Sequence, residues 1–356
     1  MKTPLKVCGA SRPGESLYTR GEMARRANRL RLIPLLAVVG LTALGAWQAL
    51  APTPDLRGGP RRVDIPANEG VLAIGYLLEE AGVIRSPLTL AALAALRGTA
   101  RHLRAGEYEI PQNASTLQVL RLIESGKVMQ HAVLLREGGS VLELAHTLDR
   151  ERLAAAPDII RLAHDRGFLR TLGIDAPSLE GYLFPDTYLL VRGLTPQEIL
   201  ARMVHRLRTK VTPRMLDEAR ERGLDLNGLL TLASIVEREA VIRDEMPLIS
   251  AVFWNRLRLD MPLQADPTVQ YAVGKDRQGL TRADLLADDP YNTYRRPGLP
   301  PGPIASPGLA AVEAALHPAA VRYLYFVSMD DRRHFFSSTI EEHNAAVARY
   351  RLARAR

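Results

Sequence analysis

Residues 178–188 read Ser178-Leu179-Glu180-Gly181-Tyr182-Leu183-Phe184-Pro185-Asp186-Thr187-Tyr188, and they give the clearest indication of where chemistry takes place. A carboxyl group removed from water resists ionisation, so its pKa rises toward the range in which it donates a proton at neutral pH. Glu180, set among apolar and aromatic residues, is therefore a candidate general acid. Gly181 leaves room for a tight turn or a ligand, and Pro185 ends any helix. We predict that this segment forms a cleft wall and that Asp186 and Thr187 cap a following helix. The alternative is that Glu180 is an ordinary surface residue beside a buried strand.

The positive charge of the chain is concentrated at its N-terminus. The 356 residues carry a net charge of +8, and the first 31 contain eight Lys or Arg against two Glu. The remainder is nearly balanced and lacks the clustered basic and aromatic side chains of a nucleic-acid surface, so no nucleic-acid partner is expected. A chain of this length can form two domains with their own cores.

Residues 32–51 are predicted to form a single N-terminal transmembrane helix. Leu32 to Leu50 is a run of 19 residues without a formal charge, and at about 1.5 Å per residue a helix of this length nearly crosses a hydrocarbon core of about 30 Å. Because basic residues precede the run and the next one is Arg57, we expect a cytoplasmic N-terminus over residues 1–31 and an exported remainder. A cleaved signal peptide is the alternative, although Pro52 directly after the candidate site disfavours cleavage.

The exported part is predicted to contain a linker and two domains of α+β class. Residues 52–60 are rich in proline and glycine and indicate the linker. Residues 61–172 alternate strand, helix, helix and strand. From residue 173 to 352 the pattern changes to longer helices, such as the amphipathic stretch from Thr195 to Lys210, with the clearest buried strand at residues 323–328.

Metal and cofactor chemistry are not expected. The single cysteine, Cys8, falls in the predicted cytoplasmic segment, so the exported part has neither a disulfide nor a thiolate metal site. His334 and His343 stand nine residues apart and do not make a metal site by themselves.

Five blocks of the second half resemble the endolytic murein transglycosylases, the YceG-like family. Together they extend over most of residues 175–350. The blocks are residues 179–188, 233–240, 252–257, 263–272 and 290–304. The resemblance implies a mixed α/β transglycosylase domain and, more loosely, a LysM-like membrane-proximal module over residues 61–172, of a type associated with glycan binding. A spacer without glycan contact is the alternative for that module.

The resemblance also implies an activity and a location. The family cleaves the bond between N-acetylmuramic acid and N-acetylglucosamine in nascent peptidoglycan strands and leaves 1,6-anhydromuramyl ends, which terminates strand elongation. Glu180 would act first as acid and then as base. The implied location is the inner membrane with the catalytic domain in the periplasm, and the implied partners are glycan strands and peptidoglycan synthases.

Eight further residues are candidates for substrate binding, because saccharide clefts use amides, carboxylates and aromatic faces. Glu237 has the alternative of structural pairing with an arginine such as Arg256, and Asp266 and Asn292 have the alternative of being turn residues. The candidates are Tyr182, Glu237, Asn255, Gln264, Asp266, Tyr291, Asn292 and Tyr294.

Two other functions remain open at this point. The first is a peptidoglycan hydrolase, or muramidase, in which Asp186 or another carboxylate activates water. The second is a glycan-binding scaffold without catalysis that recruits wall synthases.

Overall fold

The computed structural model describes residues 18–53, 59–329 and 333–354. In these ranges, helices are interspersed with three two-stranded antiparallel sheets, which confirms a mixed α+β architecture. The chain divides into two compact units between Met129 and Gln130. The predicted boundary lies later, between residues 172 and 173, whereas the helices of residues 141–171 bury their apolar faces in the same core as the C-terminal half.

The first unit has the predicted strand–helix–helix–strand order. Strands β1 and β2 pair antiparallel with Val63 opposite Tyr108, and the helices cover them around a core that includes Leu78 and Leu90. Its elements are α1 (Tyr18–Leu50), β1 (Arg61–Ile65), α2 (Val71–Glu80), α3 (Pro87–Leu96), β2 (Gly106–Ile110) and α4 (Thr116–Ser125).

The predicted N-terminal segments are described only in part. Residues 1–17 of the predicted cytoplasmic segment and residues 54–58 of the predicted linker lie outside the described residues. Of the helices in the described ranges, none combines the length and the apolar character that crossing a membrane requires.

The second unit is mainly helical around one large core. Helix α10 lies at its centre, where Leu229, Leu232 and Ile235 are fully buried. The elements are β3 (His131–Leu134), α5 (Val141–Arg150), α6 (Ala156–Ala163), α7 (Arg166–Thr171), β4 (Thr187–Leu190), α8 (Pro196–Lys210), α9 (Pro213–Glu221), α10 (Leu226–Glu239), a 3-10 turn (Arg243–Glu245), α11 (Met246–Arg258), α12 (Asp266–Ala272), α13 (Arg282–Leu285), α14 (Leu309–Leu316), β5 (Tyr325–Ser328), β6 (His334–Ser337) and α15 (Ile340–Arg354).

The pairing of β3 with β4 brings two distant loops together. The backbone N–H of Leu135 donates to the carbonyl of Asp186 at 3.0 Å, at the end of the antiparallel ladder. Asp186 was predicted to cap a helix, but Thr187 begins strand β4, and the Asp186 carboxylate accepts the Thr187 N–H at 2.8 Å instead. The loop before β4 and the loop before α5 therefore meet.

Residues 303–308 close against these loops through backbone hydrogen bonds. Gly138 N–H donates to Ser306 O and Ser306 N–H donates to Gly139 O, each at 2.8 Å. The Ile304 N–H donates to the buried Ser234 hydroxyl of α10 at 3.1 Å. Three segments far apart in the sequence thus form one rigid rim.

The strand predicted as the clearest buried one is only partly covered. Strand β5 pairs with β6 in a two-stranded sheet, and its side chains are half-buried or exposed. The prediction of full burial is wrong, because the apolar run Tyr325–Val327 is covered by one neighbouring strand and by helices α11 and α15 rather than by a larger sheet.

Candidate active site

Glu180 lies in the loop before β4, on a sharp turn. Its N–H donates to the Ser178 hydroxyl at 3.1 Å, and the N–H of Tyr182 donates to Leu179 O at 2.9 Å. Gly181 has φ +77°, and a Cβ atom there would lie 2.2 Å from the Cβ of Pro303. Glycine is therefore required at this position both by its backbone conformation and by its close packing.

The flanking apolar residues bury the Glu180 carboxylate. Leu179 and Leu183 are fully enclosed in the core, which leaves only 6% of Glu180 exposed. The backbone N–H of Val141, the first residue of α5, lies 3.2 Å from each carboxylate oxygen. The carboxyl group is thus held at the N-terminus of a helix.

Burial raises the pKa of Glu180 to about 7. The hydrogen bonds from the Val141 and Gly181 backbone lower it, the nearby negative charge of Glu143 raises it, and Arg238 lowers it. Desolvation outweighs the other contributions, as expected for a carboxyl group in an apolar site. Near neutral pH a large fraction of the Glu180 carboxyl groups can donate a proton.

Glu180 opens onto a cleft of about 160 Å³, which we call the Glu180 cleft. One wall is the start of α5, and the facing wall is α12. Arg238, with its side chain only 8% exposed, lies at one side, where it forms an ion pair with Asp276 at 2.5 Å. The lining residues are Ser140, Leu142, Glu180, Arg238, Pro267, Gln270, Tyr271, Gly274, Asp276 and Ile304.

Two larger cavities adjoin the Glu180 cleft. The first, of about 530 Å³, shares Arg238, Pro267 and Gln270 with it, and we call it the acidic cavity because Glu237, Glu239 and Asp266 line it. The second, of about 590 Å³, runs along α5 and shares Arg277 with the acidic cavity, and we call it the α5 cavity. The shared residues place the acidic cavity between the other two, and we refer to the Glu180 cleft, the acidic cavity and the α5 cavity together as the groove.

Two tyrosines lie beside Glu180. Tyr271 bonds to Ser178, and its ring lies 4.8 Å from the ring of Tyr291, centre to centre. Burial first, and then the charge of Glu180, raise the pKa of both phenols, so both are neutral hydrogen-bonding groups at pH 7. Tyr291 was predicted as a site residue. Tyr271 was not singled out, although it stands in the quoted block 263–272.

Glu237 and Asp266 lie in the acidic cavity, not in the Glu180 cleft. Glu237 accepts the Gly308 N–H at 2.9 Å, and burial raises its pKa. Arg256, the arginine suggested as its structural partner, instead donates to main-chain carbonyls such as Leu324 O at 2.7 Å, and the charge of Arg243 acts on Glu237.

Tyr294 and Gln264 are placed by structural contacts near the acidic cavity. The Tyr294 hydroxyl donates to Asp266 at 2.5 Å. Gln264, at φ +51°, accepts from the Arg256 guanidinium at 3.2 Å. Neither residue lines the Glu180 cleft.

Three predicted substrate-binding residues have structural roles instead. Tyr182 is 3% exposed and donates to Asn227 at 3.1 Å within the core. Asn255 donates to Val321 O and Tyr323 O at 3.0 and 2.9 Å. These side chains face the protein rather than the groove.

The third is Asn292, which is completely buried and acts as a turn residue. Its amide donates to the carbonyls of Leu285 and Ala287, and its oxygen accepts the Tyr294 N–H at 3.0 Å. The alternative of a turn residue is thus the one that the structure supports for Asn292.

Sequence reasoning missed Arg238, Gln270, Tyr271 and Asp276 in the cleft. Gln270 and Tyr271 stand in a quoted block, and their adjacency on the short helix α12 was the available signal. Asp276 lies outside every block, and only the folded chain brings it to Arg238. In the described residues no group of three or more His, Cys, Asp or Glu could hold a metal ion.

Comparison with known proteins gives a consistent result. The YceG-like family matches residues 63–349. The chain is 32% identical over 303 residues to an endolytic murein transglycosylase of Bacillus subtilis, covering 81% of this chain and 84% of that protein. It is 30% identical over 320 residues to an endolytic murein transglycosylase of Streptococcus pneumoniae, covering 81% of this chain and 58% of that protein.

A solved structure is also similar. The crystal structure of a putative yceG-like protein from Listeria monocytogenes has a TM-score of 0.57 and 31% identity, covering 81% of this chain and 99% of that one. The family match extends over most of the chain and includes the Glu180 loop, both walls of the cleft and the rim. The chain therefore belongs to the YceG-like family.

Proposed function

We propose that this protein is a peptidoglycan lytic transglycosylase that cleaves the bond between N-acetylmuramic acid and N-acetylglucosamine within nascent glycan strands. The observation that carries the proposal is the buried Glu180 carboxyl, whose pKa of about 7 suits a proton donor at neutral pH. The two larger cavities beside the Glu180 cleft leave room for a strand that continues past the cleaved bond. The relatives named endolytic murein transglycosylase support the same activity.

In the first step, protonated Glu180 donates its proton to the glycosidic oxygen. The bond from that oxygen to C1 of the muramyl residue breaks, N-acetylglucosamine leaves with the proton, and positive charge develops at C1. The ionised carboxylate that remains is stabilised by the Val141 N–H and the N-terminus of α5. This contact strengthens as charge forms on Glu180, so it favours the transition state over the bound substrate.

In the second step, Glu180 acts as the base. The C6 hydroxyl of the muramyl residue attacks C1, and its proton passes to the Glu180 carboxylate. A 1,6-anhydromuramyl end forms and the enzyme regains its protonated acid, with no water consumed. One residue with a pKa near the working pH is suited to both transfers.

The hydrolytic alternative requires a second carboxylate that activates water. Asp186 is poorly placed for this, because it accepts hydrogen bonds from Thr187 and Arg206 outside the Glu180 cleft. Asp276 lines the cleft, but Arg238 pairs with it. Asp276 is therefore the carboxylate whose substitution tests the alternative, and Asp186→Asn is its matched control.

The deciding experiment is mass spectrometry of the products formed from uncrosslinked glycan strands. We expect 1,6-anhydromuramyl ends within the strands from the wild-type protein and intact strands from Glu180→Gln. Asp276→Asn should change the rate without changing the product. Reducing ends that disappear in Asp276→Asn but persist in Asp186→Asn would establish a hydrolase. Intact strands from a folded wild-type protein would favour the scaffold.

The location is a separate proposal. We propose that residues 32–51 anchor the protein in the inner membrane with the N-terminus in the cytoplasm. The uncharged run beginning at Leu32 and the exposure of Leu36, Leu41 and Trp47 on α1 support this placement. We expect the protein to stay in the membrane fraction during alkaline extraction. A reporter that is active only outside the cytoplasm should be active when fused to the C-terminus.

Glycan contact by the first unit is also a proposal. The strand–helix–helix–strand order over residues 61–110 supports a LysM-like module. In a pull-down with purified peptidoglycan, we expect the Glu180→Gln protein to be retained. Deletion of residues 61–129 from that protein should reduce its retention. Peptidoglycan synthases are proposed partners, to be tested by crosslinking in cells.

A further inference from the structure

The α5 cavity differs chemically from the Glu180 cleft. The cleft offers Gln270, Tyr271 and Pro267, which suit a neutral sugar. The lining of the α5 cavity contains no Tyr, Trp, Phe, Asn or Gln, and its polar part is mostly charged. A cavity of this composition is suited to a charged ligand rather than to N-acetylated sugars. The charged and polar residues that line it are Arg136, Glu143, His146, Thr147, Arg150, Glu151 and Arg277.

The charges of the α5 cavity favour a ligand with carboxylates. Three guanidinium groups face two carboxylates, and one of these, Glu143, already accepts the Ser140 N–H in the capping box of α5. In the described part of the chain, Arg136 and Arg277 form no ion pair. Arg150 has a 4.0 Å contact with Glu151, in which both side chains are well exposed, and a 3.5 Å hydrogen bond to the Thr147 hydroxyl. Guanidinium groups without a close carboxylate partner are the usual binding groups for carboxylates.

Helix α5 links the Glu180 carboxyl to the α5 cavity, since Val141 contacts Glu180 and Glu143 lines the cavity. Val141, whose N–H holds Glu180, is the first residue of α5, and Arg150 is the last. The nine residue steps from Val141 to Arg150 correspond to about 14 Å of helix at 1.5 Å per residue. The lining residues on α5 are at positions 143, 144, 146, 147 and 150, which lie on one face of the helix, and Glu151 follows directly after its end.

We propose that the α5 cavity binds the stem peptide attached to the muramyl residue whose glycosidic bond is cleaved. This rests on the proposed function, which places that muramyl residue beside Glu180. The stem peptide carries the free carboxylates and the free amino group of an otherwise neutral strand. An extended peptide of four residues spans roughly 14 Å, which matches the length of α5 from the reacting sugar to Arg150.

The charged residues that line the α5 cavity indicate where each charged group of the peptide binds. Its carboxylates bind Arg150 and Arg277, and its amino group lies near Glu151. The apolar floor, formed by Leu134, Leu135 and Leu144, contacts the peptide methyl groups. The α5 cavity thus makes the enzyme selective for strands that still carry peptides.

The first test compares two substrates, glycan strands with stem peptides and strands from which an amidase has removed them. We expect the wild-type protein to cleave the peptide-bearing strands faster. In Arg150→Glu the ratio of kcat/KM between the two substrates should fall about tenfold, the loss expected for one carboxylate contact. Arg202→Glu makes the same charge change on the exposed face of α8 and should leave the ratio within about twofold.

The second test measures binding without catalysis. Calorimetric titration of full-length Glu180→Gln protein with the tetrapeptide L-Ala–γ-D-Glu–diaminopimelate–D-Ala should show binding, weakened about tenfold by adding Arg150→Gln. Circular dichroism checks the fold of each variant. Absence of tetrapeptide binding, or equal substrate ratios in the Arg150 and Arg202 variants, overturns the proposal. Cleavage of neither strand by the wild type would refute the proposed activity, while the titration would still decide on the α5 cavity.

Discussion

The backbone N–H of Val141 lies 3.2 Å from both carboxylate oxygens of Glu180, although 39 residues separate the two in the chain. This contact joins the loop before β4 to the first turn of α5. It explains how a carboxyl group buried among Leu179, Leu183 and Tyr271 can ionise at all, because the helix N-terminus offers the charge one fixed donor. Burial favours the protonated form of the Glu180 carboxyl, and the Val141 N–H stabilises its ionised form.

The first prediction concerns the pH dependence of cleavage. Glu180 must be protonated to donate, so kcat/KM should fall about tenfold per pH unit above about 7. Glu143→Gln keeps a capping residue on α5 but removes a negative charge that raises the pKa of Glu180, so the inflection should move to lower pH. An inflection at the ordinary value of 4.5 in the wild type would contradict the buried acid.

The second prediction concerns stability and pH. The pKa of Glu180 is raised from 4.5 to about 7 in the folded state, so the folded protein holds this proton more tightly than the unfolded chain. The resulting stability is fully present below pH 4.5 and is lost as the pH rises through about 7, a change on the order of 3 kcal/mol. Glutamine does not titrate. The difference between the free energies of unfolding of Glu180→Gln and the wild type, measured by urea titration, should therefore increase from pH 4.5 to 7.5. A difference that stays constant over this pH range would be inconsistent with a raised pKa of Glu180.

The third prediction separates close packing from backbone strain at glycine. Gly181 and Gly193 both have positive φ, +77° and +85°, but only Gly181 is crowded, by Pro303. Gly193→Ala should cost about 1 kcal/mol, the strain of a left-handed alanine, whereas Gly181→Ala should cost at least about 3 kcal/mol because Pro303 must also move. Denaturant unfolding of both variants measures the difference. Equal losses would show that the contact with Pro303 adds nothing.

The fourth prediction compares the effects on activity and stability of substituting two tyrosines, Tyr271 in the Glu180 cleft and Tyr182 in the core. Tyr271→Phe removes a hydroxyl bonded to Ser178 in the Glu180 cleft, so kcat/KM should fall about tenfold with little change in Tm. Tyr182→Phe removes the bond to Asn227 and should cost about 1 kcal/mol of stability, with normal activity per folded molecule. The reverse pattern would return Tyr182 to the substrate site.

Local sequence chemistry was sufficient to single out Glu180 as a candidate acid and to predict several elements of the fold. Glu180 stands among apolar neighbours and beside Gly181, so both its burial and the turn that carries it follow from adjacent residues. Capping residues and helical spacing likewise predicted α8 from Thr195 to Lys210, where Thr195 and Glu198 form the expected capping box. These features depend on contacts within a few positions of the chain.

The tertiary structure alone decided which other residues reach Glu180. Val141, Arg238 and Asp276 come from separate segments, and no periodicity in the sequence records that they meet. The same reason explains the substrate-binding predictions that the structure does not support. Asn255 and Asn292 carry amide side chains of the kind that bind saccharides. In the fold, however, these amides donate hydrogen bonds to buried main-chain carbonyls, which need donors, and so they do not line the groove. The sequence determined the chemistry of each side chain, and the packing of distant segments determined which side chains line the Glu180 cleft.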